Sequence, residues 1–411
     1  MPKPTLELAD IFRQHGPAYR LAHDVPWHQE ALMQAIENCR TPALGGVVEW
    51  CDHCQFSHVQ YRSCRNRHCP KCQGLARAHW LEQRQAELLP VEYFHVVFTV
   101  PEQVAAIAFY NKAVVYDILF RATSRTLLTI AGDPKRLGVE LGFFAVLHSW
   151  GQNLHFHPHL HCVVPGGGLS PQRDRWINGR RRFLLPVKVL STLFRRLFLE
   201  ELRQAHAAGK LEFFGDLVEL ADPSRFAHYL APLEKSKWVV YAKPPFGGPR
   251  KVLEYLGRYT GARVESTFHR VAISNARLLA MEDGQVTFAW KDYRDGQKKD
   301  MTITADEFIG RFLRHSLPSG FQRIRYYGFL ANCHRAAKLE LCRQYLSSPA
   351  SDLLPRTADY RDYYQALTGK DLRRCPQCGM GVLIRLALMG PTLIALLNRN
   401  ALSTLALLDT S

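Results

Sequence analysis

The chain lacks an uninterrupted apolar run of the ~20 residues that a membrane-spanning helix needs. Its nearest approach, Val382 to Leu397, is broken by Arg385. Met1 to Asp10 is polar and mixed, without the basic region and apolar stretch of a secretory leader. No glycine loop ends in the Gly-Lys-Ser/Thr of a nucleotide-triphosphate cradle, since Gly166-Gly167-Gly168 runs on into Leu169. No repeat of 20–50 residues is present either. These absences exclude a membrane-spanning helix, a P-loop ATPase and a solenoid, and they set the expectation of a cytoplasmic, nucleoid-associated protein. Acidic residues are also scarce, with 37 Asp and Glu against 53 Lys and Arg and a formal net charge of +16. Such an excess calls for a polyanionic partner, with nucleic acid before an anionic membrane. A hydrophobic share of 47% and a charged share of 22% describe a folded chain, and 411 residues suggest two or three domains.

Eleven cysteines in a chain of cytosolic character point to metal rather than disulfides. Six fall between Cys39 and Cys72. Cys51-Asp52-His53-Cys54 and Cys69-Pro70-Lys71-Cys72 are two CxxC knuckles with fourteen residues between them. Four thiolates at tetrahedral corners suit a closed, structural Zn²⁺ site, so Cys51, Cys54, Cys69 and Cys72 are expected to share one ion in a zinc ribbon. Cys39, Cys64 and His68 lie in the same stretch and either build a second zinc site or are packed thiols. Arg62, Arg65, Arg67, Lys71 and Arg77 surround the knuckles and would offer a basic surface to phosphates.

The segment Leu154 to Gly168 reads LHFHPHLHCVVPGGG and places His155, His157, His159 and His161 at every second position. In a strand, such residues share one face. A row of imidazoles at that spacing suits a divalent metal better than four unrelated histidines. The cleanest unit is His159-Leu160-His161. His157-Pro158-His159 fits less well, because proline removes a ladder hydrogen bond.

Strands are expected at Tyr93–Val100, Gly142–Ser149, His157–Val164 and Trp238–Ala242, with further short ones at Val271–Ser274 and Val286–Trp290. Helices are expected at Leu6–His15, Trp27–Asn38, Leu75–Leu89, Gln103–Ile130 and Ala305–His315. Short successive strands favour antiparallel pairing. A helix beginning near Arg250 would carry Tyr255 and Tyr259 four residues apart on one face, with Gly257 and Arg258 between them. Two tyrosines so spaced are ordinarily half-buried core. Arg323 and Arg325 beside Tyr326 and Tyr327 mix charge and aromatic faces, which suits either phosphate contact with base stacking or an ordinary core-facing segment.

Several segments, in this order, resemble the IS91-like transposases, a group of HUH endonucleases. They are SCRNRHCPKC from Ser63, HPHLHCVVPGGG from His157, WVVYAKPPFGGP from Trp238, YLGRYT from Tyr255, HRVAISN from His269, WKDYRDG from Trp290 and RIRYYGFLANCHR from Arg323. The resemblance covers roughly residues 6 to 345 and implies an α+β fold. A zinc ribbon with helices would precede an HUH nuclease core, built as a central antiparallel sheet with helices packed on it. The corresponding divisions are 1–90 for zinc-dependent DNA recognition, 91–330 for catalysis, and 331–411 for a C-terminal helical region with a lone CxxC and an apolar tail. By the same resemblance His159 and His161 form the metal pair, and Tyr255 and Tyr259 are the nucleophile candidates. The third ligand would be His157, which shares the strand face, or His148, or a polar residue beyond the tyrosines.

The implied activity is cleavage and rejoining of single-stranded or hairpin DNA at insertion-sequence ends. Mg²⁺ or Mn²⁺ would assist a 5′-phosphotyrosine intermediate in rolling-circle-like transposition. Arg65, Arg67, Lys71, Lys243, Arg258, Arg323 and Arg325 are the DNA-binding candidates. A rolling-circle replication initiator is the alternative within the same chemistry, and a nuclease acting through activated water is the alternative outside it. The chain departs from the family pattern at Gly261–Phe268, which separates YLGRYT from HRVAISN, and in the tail after Cys375-Pro376-Gln377-Cys378. One CxxC cannot close a tetrahedral site alone, so its partner pair is either missing or supplied by another region, and divergence or a frameshift of the tail is the alternative explanation.

Overall fold

The computed structural model describes residues 6–72, 80, 83–243, 272–292, 295–348 and 359–392. They belong to two compact units. One joins Met1–Trp80, Thr260–Leu313 and Leu353–Ser411, and the other joins Leu81–Tyr259 and Arg314–Asp352. Among the described residues no helix is long and apolar enough to cross a membrane.

The second unit is built on a five-stranded antiparallel sheet. Its order is Ile324–Gly328, Gly142–Trp150, Phe156–Pro165, Tyr93–Thr99 and Val240–Lys243. Alternation divides each strand between two environments. Phe94, Val96 and Phe98, then Phe143, Ala145 and Leu147, then Leu160, Cys162 and Val164 enter one continuous apolar core. Helices Glu102–Tyr110 and Lys112–Gly132 lie against the histidine strand Phe156–Pro165, and helix Val187–Ala207 lies against Val240–Lys243. The core is aromatic at its centre, where Phe98 meets Phe194 edge-on at 5.0 Å and Phe194 meets Trp238 at 5.5 Å.

The helix expected at Gln103–Ile130 is two helices that part at Asn111. The buried Asn111 side chain donates to the carbonyls of Ile107 and Glu212 at 3.0 and 2.8 Å and accepts from the Glu212 amide at 2.8 Å. An amide side chain that satisfies a remote backbone segment makes a fixed corner, which apolar periodicity does not reveal.

In the first unit, helices Leu8–Ala22 and Trp27–Glu37 pack together. Helix Ala305–Leu313 joins them through an edge contact of Phe12 with Phe312 at 5.5 Å. A meander of Leu278–Glu282, Gln285–Lys291 and Lys298–Thr304 precedes that third helix. Of the strand expected at Val271–Ser274, Val271 lies outside the described residues and residues 272–274 form no strand; Asn275–Arg277 is a short 3-10 turn and a strand follows at Leu278–Glu282. A second sheet sets Gly46–Cys51 between Ser57–Tyr61 and Leu383–Met389.

That last pairing joins residues that the expected divisions 1–90, 91–330 and 331–411 keep apart. The lone CxxC region folds with the N-terminal residues; helices Arg335–Tyr345 and Tyr360–Thr368 precede it, and Leu383–Met389 after it is a strand. Segments about 330 residues apart meet through backbone pairing, which no local pattern announces.

Phe194 is fully buried while Val218 is 58% exposed. Phe194→Ala should therefore cost about 3–5 kcal/mol of stability in denaturant melts. Val218→Ala should stay within about 0.5 kcal/mol of the parent protein.

Candidate functional site

The sheet face opposite the helices carries the histidines. Antiparallel register sets His148 directly across from His159, and Val146 across from His161. One ring nitrogen from each of His148, His159 and His161 lies within 4.8 Å of the others. His148 is buried and the other two are half-buried.

The neighbours of these rings fix which nitrogen each can present. His159 Nδ1 lies 2.6 Å from the His157 carbonyl oxygen. A carbonyl can only accept, so Nδ1–H donates and the lone pair of His159 sits on Nε2. His161 Nδ1 lies 2.7 Å from Nε2 of His95, a residue the sequence reasoning missed. Burial, with the charge of nearby His157, lowers the pKa of His159 to about 4. Burial also holds His161 well below the ordinary imidazole value, reinforced by His148, His159, His95 and Arg323. Both rings are consequently neutral at pH 7, the form in which imidazole ligates a metal. With the His148 ring, three imidazole nitrogens converge from two strands, a donor set that fits a divalent cation.

His157 does not join this group. Among the described residues the converging ring nitrogens are those of His148, His159 and His161, and His157 stands four residues, about 13 Å, along the strand from His161. The cross-strand neighbour His148 is nearer, and it supplies the third imidazole. His157 contributes its backbone carbonyl, while its ring lines a cleft of about 530 Å³ with Glu102, Lys237 and Val239.

Eight cysteines form two groups of four in the first unit. Cys39, Cys64, Cys69 and Cys72 make one, and Cys51, Cys54, Cys375 and Cys378 make the other. The expected single site of Cys51, Cys54, Cys69 and Cys72 is thus divided between two groups. The knuckle at Cys69 closes on Cys39 and Cys64, with Cys72 Sγ 3.4 Å from Cys39 Sγ and 3.5 Å from Cys64 Sγ. His68 is buried but lies outside the group, so this second set is made of four thiols and no imidazole. Contacts with the Cys39, Cys64 and Cys69 thiols drive Cys72 far towards the thiolate, and the Cys64 contact lowers Cys39 to about 7. The same contacts push the Cys64 and Cys69 thiols up, so protons are shared unevenly across the group.

Residues 142–338 match the family described as "Putative transposase", and residues 11–100 match the "Transposase zinc-binding domain" of the IS91 type. The chain is 59% identical over 382 residues to "Putative transposase y4qJ" of Sinorhizobium fredii (strain NBRC 101917 / NGR234). That alignment covers 92% of this chain and 94% of the relative. The chain belongs to the IS91-like transposases. It is also 28% identical over 381 residues to the "Transposase for insertion sequence element IS801" of Pseudomonas savastanoi pv. phaseolicola, covering 88% of this chain and 84% of that one. No solved structure matches the chain. The zinc-binding domain and its cysteine groups give this transposase a structural zinc requirement.

The remaining site candidates of the transposase separate by environment. Tyr255, Tyr259 and Arg258 lie outside the described residues. Lys243 ends its strand with its backbone opposite His95, twelve residues before Tyr255. Arg323 stacks over Trp150 at 4.6 Å and its charge acts on His161, so it borders the histidine group. Arg325 instead forms an ion pair with Asp117 at 2.6 Å and stacks over Phe120 at 4.3 Å, which commits it to the helix-covered side. Tyr326 is flanked by Arg84 and Arg335, and Tyr327 packs on Phe143, so both are structural rather than stacking platforms. In the zinc unit Arg65 is exposed and Arg67 half-buried, whereas Lys71 is paired with Glu7.

Binding of Mn²⁺, followed by calorimetry, should weaken at least tenfold in His148→Ala, as in His159→Ala and His161→Ala. His157→Ala should stay within about threefold of the parent protein. Loss of affinity in His157→Ala with none in His148→Ala would reverse the ligand assignment.

Proposed function

We propose that this transposase cleaves and rejoins single-stranded DNA at insertion-sequence ends through a 5′-phosphotyrosine intermediate, in a rolling-circle-like reaction within the cytoplasm. Its five-stranded sheet serves as an HUH nuclease core. The observation that carries the reading is the convergence of His148, His159 and His161, three imidazoles from adjacent strands, on the sheet face opposite helices Glu102–Tyr110 and Lys112–Gly132. These residues would hold Mg²⁺ or Mn²⁺, which supplies charge neutralisation at the non-bridging phosphate oxygens.

The protein's own groups perform the rest. The hydroxyl oxygen of Tyr255 or Tyr259 attacks phosphorus and loses its proton. The bond from phosphorus to the 3′ oxygen breaks, and that oxygen leaves as a hydroxyl after gaining a proton. The ester keeps the phosphate activated, so a 3′ hydroxyl attacking it rejoins a strand without a nucleotide triphosphate. Two tyrosines let one centre hold two strand ends in succession. Arg323, beside the histidines, is suited to orient the anionic backbone, and exposed Arg65 with Arg67 in the zinc unit is suited to DNA recognition. A single-stranded or hairpin substrate follows from the need for a flexible backbone to reach the nucleophile.

Incubation with labelled single-stranded element ends should give a denaturant-resistant protein–DNA adduct. The adduct should shrink or vanish in Tyr255→Phe or Tyr259→Phe and be absent from the double variant, since phenylalanine preserves the ring and removes the nucleophile. Cleavage by the parent protein without any adduct would assign the reaction to activated water instead. Undiminished adduct in the double variant would exclude both tyrosines.

A further inference from the structure

We infer that Cys51, Cys54, Cys375 and Cys378 hold a second zinc ion, which clasps the C-terminal strand to the N-terminal zinc domain. Half of this group lies beyond residues 11–100, the span that matches the zinc-binding domain. Cys51 Sγ lies 3.8 Å from Cys378 Sγ, and Cys54 Sγ lies 3.7 Å from Cys375 Sγ. A disulfide would need about 2.05 Å. Zinc–sulfur bonds of about 2.3 Å place tetrahedral sulfurs about 3.8 Å apart, which is the spacing found.

The two knuckles are built alike. Gln55 adopts φ 61° and donates its amide to the Cys51 carbonyl at 3.1 Å. Gly379 adopts φ 67° and donates to the Cys375 carbonyl at 3.0 Å. The knuckles also bond to each other, because the Val382 amide donates to Asp52 Oδ1 at 2.7 Å. The Gly381 amide donates to Cys378 Sγ at 3.4 Å, an arrangement that favours thiolate. A Cβ at Gly381 would lie 2.4 Å from Cys51 Sγ, so only glycine lets the two knuckles approach this closely.

The strand that follows has little else to hold it. Leu383 is buried, but Ile384, Leu386 and Leu388 are 45%, 61% and 71% exposed. A strand with so little apolar burial depends on its backbone ladder and on whatever fixes its start. The cysteine group sits at that start, where Cys51 pairs with Leu383.

Elemental analysis of the full chain should find two zinc ions. Cys375→Ser with Cys378→Ser should leave one, and limited proteolysis should then cut the segment after Thr368 while the N-terminal residues stay protected. Should that variant fail to fold, titration of the metal-free parent protein with Co²⁺ provides the count, and its thiolate absorption should saturate at two equivalents. Saturation at one equivalent, or two zinc ions retained by the double variant, would overturn the clasp.

A separate observation supports a second role, which rests on the proposed metal centre. We propose that His95 is a positioning residue for His161. It is buried on the adjacent strand, and its ring plane lies 4° from that of His161 with the nitrogens 2.7 Å apart. Near-coplanar rings at that distance share an in-plane N–H···N bond. If His95 donated, neutral His161 would carry its proton on Nε2 and could not ligate. Ligation therefore requires His161 Nδ1–H to donate to His95 Nε2, which fixes the tautomer and raises the basicity of the ligand.

Mn²⁺ calorimetry should show at least tenfold weaker binding in His95→Phe, with the thermal melt of the metal-free protein unchanged. His95→Gln, which can still accept the hydrogen bond, should bind within about threefold of the parent. Nitrogen-15 imidazole spectra of the parent should show His161 protonated at Nδ1. If the parent protein binds no Mn²⁺, the metal-centre reading itself fails. If His95→Phe binds like the parent, or His161 is protonated at Nε2 alone, only the role of His95 fails.

Discussion

The register between Gly142–Trp150 and the histidine strand is the constraint on which the site depends. It places His148 opposite His159 and directs Leu160 and Cys162 into the apolar core. Side chains alternate along a strand, so a slip of one residue would turn His159 and His161 towards the helices and Leu160 towards the open face. The core therefore enforces the geometry of the histidine group. Phe98, Phe143, Leu147 and Leu160 are buried without polar atoms, and displacing them would cost far more than a cluster of imidazoles returns. The histidines that would hold an ion stand on one face of a sheet whose other face sets where they point.

Much of that frame was legible in the sequence. The strands at Tyr93 and Gly142 announce themselves as short apolar runs, and the pair at His159 and His161 by its period of two. The third ligand was legible only as one of several options. Adjacency along the chain favoured His157, while adjacency across the sheet selects His148, and cross-strand partners depend on a register that one strand's sequence does not contain. His95 was hidden for the same reason. It reads as one polar residue in the apolar run YFHVVFT, and only the pairing of that strand with its neighbour brings it to His161.

The cysteines teach a similar lesson about distance in sequence. Two CxxC knuckles with a short spacer read as one ribbon, yet each closes with other thiols. The Cys69 knuckle takes Cys39 and Cys64, and the Cys51 knuckle takes a pair more than 300 residues away. The knuckles were visible, but which thiols group together is decided by which backbone segments lie side by side. Arg325 shows the limit of charge patterning, since its aromatic and acidic neighbours Phe120 and Asp117 come from a distant helix. Arg323, two residues earlier, borders the site. A basic run alone does not distinguish an arginine that faces DNA from one that ties a helix to a sheet.

The most direct test of the histidine centre is a crystal structure of the protein grown with Mn²⁺, with the anomalous signal of the metal mapped. The account predicts one manganese peak bonded to His148 and to the Nε2 atoms of His159 and His161, with His95 hydrogen-bonded behind His161. A peak bonded to His157 in place of His148, or no peak on this face of the sheet, would contradict it.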